Sequence, residues 1–329
     1  MTAAFEQAFQ SGVVFLTDGG IETRLIYEFS LGLRDFASFP ELFDSRGRAA
    51  LRKVYTSYLD VAAQSGRPML IGSPTWRAHP DGLRHAGFGE PDDLTRVNTE
   101  AVSFLRELRR EMKLEKQVYI AGVIGPRGDG YRAEGAPQTE EAQHYHHAQA
   151  RALADAGVDF LYAPTFASRT ELIGVALAMA GTGCTYALAP VINGHGDLPD
   201  GSSLSEVISF IDATVQPRPL YYLTGCVHAS TFSDAVADDD RLQPLMPKRL
   251  VGMKANASAL PPEKLNDLDH VEGDEPAAFA RGILNLHNKY SLRILGGCCG
   301  TDAGHIRALA EGLAEFEAKS TKNRPATVT

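Results

Sequence analysis

The sequence predicts a (β/α)8 TIM barrel in a single domain, and three observations predict it. Eight short runs rich in Val, Ile, Leu and Tyr recur along the 329 residues, a stretch of helix length follows each run, and no Pro/Ser-rich linker or change of composition divides the chain. Near-continuous apolar runs suit strands that are covered on both faces, as parallel strands are. Eight regular repeats favour closure over the main rival, an open doubly wound sheet. The domain is taken as residues 1–329, with its core at 13–318 and a flexible tail at 319–329.

The elements follow in order. VVFLTDGG (13–20) is the first strand; after a long connection comes a helix at 48–66, with apolar residues at helical spacing and Gly66 as its C-cap. PMLIGSPTW (68–76) is the second strand, and 92–112 repeats the helical pattern. QVYIAGVIGP (117–126) precedes a helix at 139–157 that opens on Thr139 with acidic residues in its first turn, where they suit the helix dipole. HYHH (144–147) on this helix reads as a solvated face. VDFLYAPTF (158–166) leads to a helix at 169–181, CTYALAPVI (184–192) to one at 203–215, and LYYLTGCV (220–227) to a weakly patterned one within 230–247. RLVGMKANA (249–257) and LRILGGCCG (292–300) precede helices at 276–290 and 302–318. The connections after the first and seventh strands are long enough to cover the barrel mouth.

Composition narrows the function. A chain 44% hydrophobic and 22% charged is an ordinary globular protein, and a net charge of −9 gives no electrostatic footprint for nucleic acid. No apolar run approaches the ~20 residues of a membrane helix. The N-terminus MTAAFEQAFQSG has neither the basic nor the apolar region of a secretory signal. Four cysteines without such a signal point to reduced thiols and a cytoplasmic location.

In a barrel of this kind, active-site residues gather at the C-terminal ends of the strands. The residues so placed are Asp18, Gly19 and Gly20; Thr75, Trp76 and Arg77; Pro126 and Arg127; Thr165; Asn193 and Asp197; Cys226 and His228; Asn256; and Cys298 and Cys299. Cys226, Cys298 and Cys299 end strands 6 and 8, which are one strand apart, so their sulfurs can converge. Cys184 begins strand 5 at the opposite rim and reads as a packed thiol. Three thiolates leave tetrahedral zinc one vacant position, the mark of a catalytic site, and soft sulfur ligands select zinc. Packed thiols are the bland alternative, and a bridge between neighbouring cysteines is strained.

GGCCGT on the last strand, Gly225-Cys226 at the end of strand 6 and TDGGIET at strand 1 resemble the homocysteine S-methyltransferase family, a likeness running from Asp18 to Leu313. The resemblance implies zinc held by Cys226, Cys298 and Cys299, and methyl transfer from an onium or folate-type donor to a thiol. Free thiols titrate near ~8.5, and coordination removes the proton outright. Asp18, beside Gly19, is implied in substrate binding, although a turn cap is its plain alternative. Asp197 in NGHGDLPDG either shapes the pocket or belongs to a simple turn. Asn256 and Thr165 are candidate polar contacts, and Trp76 is either a cation–π wall for an onium or a packed aromatic.

Three positions depart from the family pattern. Pro164 stands where an acid holds the acceptor's amino group. Gly225 replaces an asparagine. Arg77 replaces a tyrosine of the betaine-using branch, and would repel a quaternary ammonium but pair with a carboxylate. The expected reaction moves a methyl group from S-methylmethionine or S-adenosylmethionine to homocysteine, giving methionine, and betaine is disfavoured. The alternatives are another small thiol as acceptor, a separate corrinoid protein as donor, or a non-catalytic zinc or thiol-sensing barrel. The expected partners are a small-molecule thiol and a methyl donor, with no nucleic acid and no membrane; homo-oligomerisation is left open.

Overall fold

In the computed structural model, which describes residues 2–265 and 268–322, each apolar run becomes a parallel strand and the eight close on themselves in sequence order. They are β1 (Phe15–Thr17), β2 (Met69–Gly72), β3 (Val118–Val123), β4 (Phe160–Phe166), β5 (Tyr186–Pro190), β6 (Tyr221–Val227), β7 (Leu250–Ala255) and β8 (Ile294–Gly297). Closure comes from β1 against β8, with Phe15 opposite Ile294 and Leu16 opposite Leu295.

The helix α1 (Thr2–Gln10) precedes β1. After β1 come α2 (Glu22–Phe29) and α3 (Ser45–Ser65), and after β2 come α4 (Pro80–His85) and α5 (Asp93–Glu111). Then α6 (Thr139–Asp155), α7 (Arg169–Ala180), α8 (Leu204–Thr214) and α9 (Ala229–Asp238) follow β3 to β6 singly. The chain ends with α10 (Pro262–Leu265) and α11 (Pro276–Tyr290) after β7, and α12 (Ala303–Lys322) after β8. The caps follow local chemistry. Asp44 accepts the backbone N–H of Gly47 at 2.7 Å to start α3, and Gly66 ends it at φ 68°.

Three expectations are corrected. The helix sought within 230–247 stops at Asp238 and leaves only a 3-10 turn at Gln243–Leu245, because Pro244 and Pro247 interrupt any longer one. The α12 helix continues through 319–322, so these residues are not a tail; residues 323–329 lie outside the described residues. The core also begins before residue 13. Phe5 of α1 is fully buried and stacks on Phe160 at 4.4 Å, while Phe9 stacks on Tyr221 at 5.0 Å. Phe5 also meets Phe15 and Tyr119, and these partners lie at strand starts, so α1 closes the N-terminal end of the barrel.

A second apolar layer, between the strands and the surrounding helices, includes Leu16, Tyr58, Leu105, Leu153 and Ile306. Among the described residues no helix is long and apolar enough to cross a membrane.

Candidate active site and metal centre

The open, C-terminal end of the barrel holds a cavity of about 760 Å³. Segments from the β1 connection (Tyr27, Phe36) and the β7 connection (Leu268, Val271) line it, as the lengths of those connections predict. A third contribution, Gly128–Arg132 after β3, was not foreseen.

Within it three sulfurs from strand ends meet. The Sγ atoms of Cys226, Cys298 and Cys299 all lie within 4.8 Å of one another, with Cys226 and Cys298 at 2.7 Å. Two irregularities in the strands aim the groups. The β4–β5 register slips between Pro164 and Phe166, and the β6–β7 register slips between Gly225 and Val227. The extra residues are Thr165 and Cys226, at φ 66° and 56°. A left-handed backbone at a residue with a side chain costs roughly 1–3 kcal/mol, and a bulge re-aims the side chain it carries. Here the result is a contact of 3.3 Å between Thr165 Oγ1 and Cys226 Sγ.

The cysteine backbone is tied to β7. Cys298 N–H donates to Ala255 O at 2.7 Å, Ala257 N–H to Cys299 O at 3.0 Å, and Asn256 Nδ2 to Cys226 O at 2.9 Å. Glycine is needed at 297, where a Cβ would sit 2.1 Å from Thr301 Oγ1. Contacts with the thiols of Cys298 and Cys299 hold the Cys226 sulfur well below the usual thiol range, and the same contacts push those two thiols up. By contrast, Cys184 is a packed thiol at the far rim, which burial pushes up to about 11.

Asp18 is buried beside the sulfurs; its Oδ2 accepts Gly72 N–H at 2.7 Å and its Oδ1 pairs with the Lys254 ammonium. Lys254 was missed by sequence reasoning, although a charge inside the apolar stretch LVGMKANA is a readable signal. Glu22 and Tyr131 also line the cavity and were missed. Burial raises the Glu22 carboxyl, and Ser38 donates to its Oε1 at 2.6 Å. Burial, then the neighbouring cysteines, raises the Tyr131 phenol.

Of the residues named from sequence, Asp18, Gly19, Gly20, Trp76, Arg77, Arg127, Thr165, Asn256 and the three cysteines line the cavity, whereas Pro126 and Asn193 do not. Thr75 does not: it is fully buried and its hydroxyl donates to Val123 O at 2.6 Å, turned toward β3. Asp197 lies outside the cavity, in a turn bridged to Ser203. His228 caps α9 instead. One face of Trp76 carries the Arg77 guanidinium, 4.0 Å from the ring centroid. The HYHH stretch is not uniformly solvated, since His146 is fully buried against Glu171 with Nε2 to Oε1 at 3.0 Å.

Comparison with known proteins decides the family. A sequence profile of the homocysteine S-methyltransferase family matches residues 15–313. The chain belongs to the homocysteine S-methyltransferase family. It is therefore a methyltransferase, which displaces the non-catalytic sensor considered from sequence. The metallated form of the homocysteine methyltransferase MmuM from Escherichia coli has a similar structure, with a TM-score of 0.73 at 20% identity, covering 93% of this chain and 99% of that one. The oxidised form of the same protein gives 0.73 at 20% identity over 92% and 96%, and the apo form 0.65 at 19% over 94% and 99%. At that identity the likeness concerns the fold. No curated protein sequence matches.

The donor set of this methyltransferase fits a soft divalent cation: three thiols from two strand ends, already gathered, with no carboxylate among them.

Proposed function

We propose that this methyltransferase carries a methyl group from an onium donor, S-methylmethionine or S-adenosylmethionine, to the sulfur of homocysteine, giving methionine, with zinc held by Cys226, Cys298 and Cys299. The observation that carries the reading is the convergence of those three sulfurs in the cavity. When bound, zinc keeps an incoming thiol deprotonated and nucleophilic near neutral pH.

The chain's own residues supply placement. Thr165 and Asn256 fix Cys226 by its sulfur and its carbonyl, and the Asp18–Lys254 pair ties β1 to β7 beside it. Apolar walls, including Phe160, Tyr162 and Leu223, reduce the water around the reacting atoms. The acceptor thiolate attacks the methyl carbon in line. A new carbon–sulfur bond forms as the old one breaks, and the bonding pair stays with the donor sulfur, which leaves uncharged. The thiol proton is released to solvent.

Cys298→Ala is expected to lose bound zinc by elemental analysis and methyl transfer by mass spectrometry. X-ray absorption of the native protein should register a change from three sulfur neighbours to four when homocysteine is added. Full activity in metal-free protein would refute the reading.

A further inference from the structure

We infer that Arg77 is the carboxylate anchor of the methyl donor, so that the donor is an onium whose carboxylate is set apart from its positive centre. The identity of the ligand rests on the proposed methyl transfer; the need for an anion rests on the geometry of the guanidinium.

Arg77 lies in the connection between β2 and α4 and lines the cavity. Its Nη1 donates to Pro126 O at 2.9 Å and to Gly128 O at 2.7 Å, which occupies both N–H groups of that nitrogen. Trp76 lies under the guanidinium plane at 4.0 Å. The fork is therefore held in place, while its other edge is unused. Nε is buried without a hydrogen-bond partner, and Nη2 has none among the described residues. The parallel N–H groups of Nε and Nη2 are the pair that a carboxylate takes bidentately.

The charge is also unmatched. Lys254 and Arg127, which also line the cavity, are neutralised locally, Lys254 by Asp18 and Arg127 by Asp81 and Glu141. Arg77 has no carboxylate within ion-pairing distance among the described residues. Burial pulls its pKa down; of the acids that oppose this, Asp129 and Asp35 are exposed to water and the buried Glu171 is bonded to His146. A desolvated guanidinium without a counter-charge is unfavourable, and a ligand's anion relieves it.

Position assigns the anion to the donor. Trp76 Nε1 reaches Pro164 O at 3.5 Å, and the next residue, Thr165, touches the Cys226 sulfur. From the sulfurs, Arg77 is reached by way of Thr165, Pro164 and the indole, so its anion docks away from the reacting carbon. A positive centre near the guanidinium would be repelled, which turns the methyl-bearing sulfur toward the cysteines.

The test uses the zinc-loaded protein with S-methylmethionine and with S-adenosylmethionine, each beside its carboxamide counterpart. Binding is read by calorimetry, and KM is read for donor and acceptor separately. The carboxylated form of the donor in use should bind more tightly than its amide by on the order of tenfold to a hundredfold, the loss of a charge-assisted pair. Arg77→Gln should remove that preference, and Arg77→Lys should restore part of it; neither should alter zinc content or the KM for homocysteine. Equal binding of acid and amide in the unaltered protein overturns the inference without any variant, as does binding of neither. A rise in the acceptor's KM alone would move the anchor to the other substrate and overturn it too. Failure of the proposed reaction is read separately, as absence of zinc or of methylated homocysteine.

Discussion

Lys254 and Asp18 show how one buried pair both supports the fold and lines the cavity. Removing one partner strands the other charge, a loss worth about 3–5 kcal/mol. Lys254→Met should therefore lower the urea midpoint strongly, and adding Asp18→Asn should recover much of it. His79 gives a pH signature. It is buried, its Nδ1 accepts Gly82 N–H at 3.1 Å to start α4, and burial pulls its pKa from 6.5 to about 3. The folded form then stays unprotonated where the unfolded form takes up a proton, so the unfolded state binds more protons between these values. Stability should fall as pH drops from 6.5 toward 3, by at most about 1.4 kcal/mol per unit from this residue. His79→Asn, which can still cap the helix, should flatten that slope in urea titrations run across the range. At this scale the cysteines were legible because sulfur at a strand end has few plain uses. Thr75 was not, since neighbouring positions in a turn can face opposite ways and only the partner, here Val123 O, settles which.

Strands and most helices were legible because burial on both faces writes an unbroken apolar run and burial on one face writes a helical repeat. The register slips that carry Thr165 and Cys226 were not, because nothing in GC or PTF distinguishes a regular strand from a bulged one. Helix α1 was passed over for a different reason. Its large apolar residues are only Phe5 and Phe9, which enter a ring of aromatics contributed by β1, β3, β4 and β6, and that context is absent from the local sequence. Phe5→Ala leaves a hole there and should cost about 3 kcal/mol in equilibrium denaturation. His146 was misjudged likewise, since its burial comes from Glu171 on α7, a partner outside its own helix.

For the molecule as a whole, closure of eight strands could be read from their count and spacing, whereas the cavity's shape depends on loops that converge only in space. The net charge of −9 predicts behaviour without reference to the site: the protein should pass a heparin column unretained at about 0.15 M salt. The aromatic stopper at the lower end has a kinetic consequence. With that end sealed among the described residues, substrates and products use the open end of the barrel, and on the proposed reaction the acceptor takes the place against the sulfurs, inward of the donor. The acceptor must board first, the donor second, and the methylated acceptor must wait for the spent donor to clear its way out. Turnover should accordingly follow an ordered course, with excess donor blocking the entrance to an empty site.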